Sequence, residues 1–177
     1  MANDTGDSGS FEELAMPLFA RLYSLACWLT HDRSAAEDLV QETFMKALKG
    51  FASFRQGTNF RAWIYRIQRN AFLTSQSGLR ATVSLDAEDD APPEPSTEET
   101  PESVLLARLD SQSIQAALRE LPVKFREVIL LCDLEEMSYQ EISLAIGIPI
   151  GTVMSRLSRA RKAMRTLLAA KLQGDSR

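Results

Sequence analysis

From Ser84 to Ser103 the chain reads SLDAEDDAPPEPSTEETPES, with four prolines, eight carboxylates and almost nothing apolar. Such a stretch buries too little surface to offset the entropy of ordering it. It therefore divides the 177 residues into two short blocks. Neither block has strand-like alternation of useful length, and in both the apolar residues return with helical period. The expected fold class is all-α, two small helical domains joined by a flexible acidic linker. The implied boundaries are residues 1–10 as a disordered N-terminus, 11–79 as the first domain, 80–103 as the linker and 104–172 as the second domain.

The formal charge of −4 conceals a strong segregation along the chain. Residues 80–103 carry eight acids against Arg80 alone, so the linker holds −7 and the remainder +3. Two stretches contain no acid at all. Residues 54–80 carry Arg55, Arg61, Arg66, Arg69 and Arg80, and residues 152–171 carry Arg156, Arg159, Arg161, Lys162, Arg165 and Lys171. These are candidate polyanion surfaces. No apolar run approaches the twenty or so residues that cross a bilayer, and the opening MANDTGDSGS has no hydrophobic signal core. The expectation is a cytoplasmic protein without membrane insertion. One histidine (His31), two distant cysteines (Cys27 and Cys132), no phosphate-cradling glycine loop and no metal-spaced cluster argue against an enzyme, a cofactor or a metal site.

In the first block, Leu14, Leu18, Leu22, Leu25 and Leu29 form one stripe, kinked or begun at Pro17. A second helix is expected to open with Ser34 as N-cap and Glu37 three residues on, burying Val40, Phe44, Ala47, Leu48 and Phe51. That phase leaves Asp38, Gln41, Glu42 and Met45 as an outward strip. After FRQGTN, a third helix buries Phe60, Ile64, Ile67 and Ala71 and turns Arg61, Tyr65, Arg69 and Phe72 the other way. In the second block, Thr100–Pro101 is a fitting N-cap and first helical position for a helix to about Leu121, and Pro122 restarts the chain. Ser138 with Glu141 forms a second capping-box pattern, Gly147 and Pro149 end the short helix it opens, and a final helix runs from about Thr152 to Leu172.

The last two helices, joined by Gly-Ile-Pro-Ile-Gly, have the spacing of a helix-turn-helix. Opposite the buried side of the final helix lie Met154, Ser155, Ser158, Arg159 and Lys162, with Arg156 on the flank. The N-terminal residues are placed for base edges, and Arg161, Lys162 and Arg165 for phosphates. A merely solvated basic face would not require the cap, turn and basic helix to occur in this order. In the first block, Phe54, Phe60, Trp63, Tyr65 and Phe72 among arginines suit unpaired bases, which stack on rings while arginines hold the backbone. Asn70 adds an amide able to pair with a base edge. Helical phase favours Phe60 and Trp63 as core residues and Tyr65 as a surface one.

The block EDLVQETFMKALKGFASFRQGTNFRAWIYRIQRNAF closely resembles conserved region 2 of bacterial RNA polymerase sigma factors. The block LRELPVKFREVILLCDLEEMSYQEISLAIGIPIGTVMSRLSRARKAM resembles their region 4. With no room for further regions, the chain looks like the compact extracytoplasmic-function (ECF) branch. The resemblance makes Asp38, Gln41, Glu42 and Met45 a surface for core RNA polymerase. It assigns the promoter's minus-10 element to Phe54, Arg55, Asn59, Arg61, Tyr65, Arg66, Arg69 and Asn70. It assigns the minus-35 element to Thr152, Met154, Ser155, Arg156, Ser158, Arg159 and Lys162. It further implies promoter melting, catalysis left to the polymerase, and an anti-sigma factor as partner.

Two other readings compete. A helix-turn-helix regulator leaves EDLVQETF and TNFRAWIYRIQRN unexplained, and a mimic that only sequesters an anti-sigma factor would not require both basic faces. About twenty extended residues span up to roughly 65 Å, so the tether can let both domains hold DNA at once and raise each other's effective concentration. The charge map adds one expectation, that in the free protein the acidic linker screens both basic faces.

Overall fold

Pro17 withholds a backbone donor, and the first helical stretch changes geometry around it. In this computed structural model, which describes residues 7–79 and 111–174, helix α1 (Asp7–Ala15) gives way to one 3-10 turn (Met16–Leu18) before α2 (Phe19–Thr30). Residues 7–10 are thus helical where a disordered N-terminus was expected. The linker over 80–103, with the Thr100–Pro101 helix start, lies outside the described residues.

Helix α2 stops at His31, whose left-handed backbone (φ 54°) lets its N–H reach the Cys27 carbonyl at 2.9 Å. Helix α3 (Arg33–Gly50) is capped by Asp32, which accepts from the Ala35 N–H at 2.7 Å, and not by Ser34. Glu37 accordingly pairs with Arg33 at 3.1 Å and makes no capping box. Asn59 caps α4 (Phe60–Leu79) through the Ala62 N–H at 2.9 Å.

In the second half, α5 (Ser111–Glu120) ends before Pro122, which restarts the chain as α6 (Val123–Ile129). α6 widens into a π turn over Leu130–Leu134. Ser138 and Glu141 form both arms of the capping box at the start of α7 (Tyr139–Ile146), and Gly147 closes that helix at φ 78°. Helix α8 (Ile150–Gly174) begins two residues before the expected Thr152.

One apolar core runs through both halves, from Phe11, Leu22 and Ile64 to Val128, Ile142 and Leu157. The two domains therefore pack together, with α4 against α7 and α2 against α6. Arg126 ties this junction. Its buried guanidinium donates to the carbonyls of Leu118, Arg119 and Leu121 at the end of α5 and of Leu29 at the end of α2. A cation at two helix C-termini satisfies carbonyls that those helices cannot satisfy themselves.

Packing corrects four side chains. Leu14 and Leu48, expected inside, are 40% and 54% exposed. Tyr65 and Phe72, expected outside, are each only 2% exposed, because the second half covers the face they occupy. Cys27 and Cys132 are free and partly buried against the core.

Candidate nucleic-acid interface

The region 2 candidates fall into two groups. Arg55, Arg66 and Asn70 are exposed, the first on the loop before α4 and the others on the helix itself. The loop turns at Gly57 (φ 83°) and is held by Thr58, whose hydroxyl and N–H both donate to the Arg55 carbonyl. Phe54 leaves this loop to stack on Phe51 at 6.0 Å and to meet Phe60 and Trp63 at 5.3 and 5.0 Å. It belongs to an aromatic cluster that fixes the loop against α4, and Phe60 is core as phase indicated.

The other group faces the second half of the molecule. The Tyr65 hydroxyl donates to Glu135 Oε2, and Arg61 donates to the Glu135 carbonyl while its Nη2 stands 3.5 Å from the same carboxylate. Arg69 grips Glu127 with two parallel bonds, Nε at 2.7 Å and Nη2 at 3.1 Å. Asn59 donates to Glu141 at 3.1 Å. Desolvation, and then the bond to Glu135, push the Tyr65 phenol well above its ordinary value, so it stays protonated and donating.

Helical period gives no sign of these acceptors, because each lies at least 58 positions from its partner on α4. Glu127 and Glu135 are 5% and 2% exposed. Carboxylates this buried require cationic or hydroxyl partners. That rule could have flagged Glu127, which stands among apolar residues of α6, as needing an arginine. Arg21, not singled out before, joins Glu135 with Nη1 at 3.8 Å from the carboxylate and 3.4 Å from the carbonyl.

The C-terminal face is more open. Helix α7, the turn at Gly147 and α8 bring Met154 (50% exposed) and Lys162 to the surface, with Thr152, Ser155, Ser158 and Arg159 partly exposed. Val153, Leu157 and Ala160 are buried on the opposite side. Arg156 leans back, its Nη1 3.7 Å from Glu127. Arg161 pairs with Asp133 at 2.8 Å, which restrains it from the phosphate role expected of it. Along α3, Asp38, Gln41 and Met45 are exposed, Glu42 is partly exposed and pairs with Lys46, and Leu48 extends the strip. Among the described residues no cluster of three or more His, Cys, Asp or Glu could hold a metal, and no helix is long and apolar enough to cross a membrane.

The family description "Sigma-70 region 2" matches residues 14–81, and "Sigma-70, region 4" matches residues 111–164. Among curated relatives, the ECF RNA polymerase sigma factor SigE of Mycolicibacterium smegmatis is 36% identical over 93% of this chain, which spans 65% of that protein's length. The ECF RNA polymerase sigma factor SigW of Bacillus subtilis is 32% identical over 92% of this chain and 91% of its own. Among solved structures, the sigma factor RpoE of Bartonella quintana, in complex with the anti-sigma factor NepR, has a TM-score of 0.68 at 30% identity, covering 90% of this chain and 97% of that one. CnrH, in complex with the cytosolic domain of CnrY, also has a TM-score of 0.68, at 26% identity and 94% and 92% coverage. Two matched regions in order, on a helical fold that ends in a helix-turn-helix, show that the chain belongs to the ECF RNA polymerase sigma factor family.

Proposed function

We propose that the chain works as a cytoplasmic initiation factor that recruits core RNA polymerase to promoters, holds an upstream element as duplex and captures unpaired bases downstream. The α3 strip of Asp38, Gln41, Glu42, Met45 and the added Leu48 is assigned to core polymerase. The loop from Phe54 to Asn59 and the α4 residues Arg61, Tyr65, Arg66, Arg69 and Asn70 are assigned to the minus-10 element. Thr152, Met154, Ser155, Arg156, Ser158, Arg159 and Lys162 are assigned to the minus-35 element. The observation that carries this reading is the outward face of α8, where a left-handed glycine ends the support helix and a long basic helix follows at once.

Function here is an exchange of binding energies in which this chain makes and breaks no bonds. Each captured base supplies on the order of 1–3 kcal/mol, enough in combination to favour the melted state. Met154, Ser155 and Ser158 form few hydrogen bonds, so at the minus-35 element base readout rests on Arg156 and Arg159. A partner of the anti-sigma class is assigned on the likeness to the Bartonella sigma factor, solved with one.

Run-off transcription with purified core polymerase on a genomic promoter library tests the reading. Core plus this chain should initiate at sites where core alone does not. Asn70→Ala should lower initiation on duplex promoters and be relieved on pre-melted ones, whereas Arg159→Ala should weaken upstream duplex contact and gain nothing from pre-melting. Met45→Asp should abolish both by losing the polymerase. Identical effects of the first two would overturn the division of labour, and no new initiation would overturn the function.

A further inference from the structure

The side chains assigned to two different stretches of DNA converge on carboxylates of this same chain. Glu127 receives Arg69 of the minus-10 face through a bidentate fork and, on Oε1, Arg156 of the minus-35 face at 3.7 Å. Glu135 receives Tyr65, Arg61 and Arg21, and Glu141 receives Asn59. Half of the eight minus-10 residues are thus engaged before any nucleic acid arrives. A carboxylate held in an arginine fork occupies the geometry that a phosphate takes in the same fork.

We infer that Glu127 and Glu135 are internal stand-ins for DNA phosphate, and that they hold the free chain in a closed form that refuses the unpaired strand. The inference rests on the function proposed above. Carboxylates of the second domain sit on these arginines, while the expected screen by the acidic linker falls on residues outside those described.

Two features mark these groups as more than incidental ion pairs. Backbone geometry is given over to one of them. The helix widens into a π turn over Leu130–Leu134, and Glu136 then takes φ 52°, which is uncommon for a residue with a side chain. Between these two departures stands Glu135, which turns both its carbonyl and its carboxylate into the first domain. The second feature is energetic. Buried ion pairs add little net stability over an apolar contact, because desolvation offsets most of their attraction. A junction closed by them has partners that a polyanion can replace one for one. DNA or polymerase that binds only the open form shifts the population toward it, and the free chain's apparent affinity is reduced by the open fraction.

The two glutamates predict different patterns, which separates the inference from a general loosening of the fold. The probes are a fluorescent single strand covering the minus-10 segment of a promoter found by run-off, and a duplex covering its minus-35 segment. Both are titrated with the full-length chain without polymerase. Glu135→Gln should raise affinity for the single strand about tenfold and leave the duplex unchanged. Glu127→Gln, which releases Arg69 and Arg156 together, should raise both. Small-angle scattering should report a larger radius of gyration for each variant, and holoenzyme made with either should initiate as well as wild type.

Unchanged single-strand affinity in both variants overturns the inference, whether or not the radius grows. Equal gains on both probes from Glu135→Gln also overturn it, since that residue touches no part of the duplex-facing set. Should a variant lose its helical circular dichroism, the aspartate form, still charged but one methylene short of the fork, must show the same pattern at smaller size. Failure of the wild-type holoenzyme to initiate anywhere faults the underlying function. Normal initiation with no gain in affinity faults the inference alone.

Discussion

Helices α4 and α8 are both basic and free of acids, yet the fold treats them oppositely. On α4, Tyr65 is buried and Arg61 and Arg69 are satisfied by carboxylates from the other domain. On α8, Met154 stays half exposed and Lys162 open, while Arg156 turns inward to Glu127. The difference teaches that a basic face is not available merely because it is basic. A face that takes bases out of a duplex must expose flat aromatic surface, and exposed aromatic surface is also what a neighbouring domain will cover. A face that touches duplex edges with short polar side chains draws no such cover.

The largest test of this comparison concerns the joint between the halves. Arg126→Ala removes a charged donor from the carbonyls of Leu118, Arg119, Leu121 and Leu29 and should cost on the order of 3–5 kcal/mol in urea unfolding. Both tryptophans, Trp28 and Trp63, lie in the first half, whereas the substitution lies in the second. If the covered face is a shared stability unit, tryptophan fluorescence and helical circular dichroism shift together. A tryptophan midpoint that stays in place would show that the first half owes nothing to the second.

A smaller effect isolates the covered face. Tyr65→Phe keeps the ring in the core and removes only the bond to Glu135, leaving that carboxylate to Arg61 and Arg21. A lost hydrogen bond to a charged acceptor should cost about 1–3 kcal/mol. Urea titration read by tryptophan fluorescence checks it, with Lys162→Ala on the open face as the contrast, expected within about 0.5 kcal/mol of wild type. Equal losses at the two positions would erase the distinction between the faces.

What the sequence disclosed follows the range of each interaction. Ser138, Glu141 and Gly147 were legible because a capping box and a left-handed C-cap close within a few residues. Pro17 announced its own break for the same reason. At the start of α3 the local pattern pointed to Ser34, but Asp32, two positions earlier, took the cap by reaching the Ala35 N–H. Helical phase put Tyr65 and Phe72 on the face away from the first domain's core, but phase says nothing of what arrives to cover a face. The covering groups come from 70 residues along for Tyr65 and 58 for Arg69, beyond any periodic signal. On α3 the outward strip was legible, and Leu48 joined it because a residue at the edge of an apolar arc can fall either way.

The smallest expected effect is also the most direct report on closure, because the chain has a single histidine. His31 is held down to a pKa of about 4 from its ordinary 6.5, first by burial and then by the positive charges of Arg126 and Arg119. Its Nε2 is buried without a hydrogen-bond partner, so protonation there gains nothing. Both arginines belong to the second half, which means that the depression depends on the halves being together. The folded state therefore disfavours the proton that the unfolded chain accepts. The resulting stability is fully present above pH 6.5 and is lost as the pH falls toward 4. His31→Asn, which tolerates the left-handed backbone and cannot titrate, should show a smaller fall in Tm between pH 7 and pH 5 than wild type. Proton NMR of the imidazole should titrate near 4 in the wild-type chain and move back toward 6.5 in Glu135→Gln, as the open form gains weight. A midpoint near 6.5 in the unmodified chain would mean that the covered face of α4 is open in solution, and the contrast with α8 would go with it.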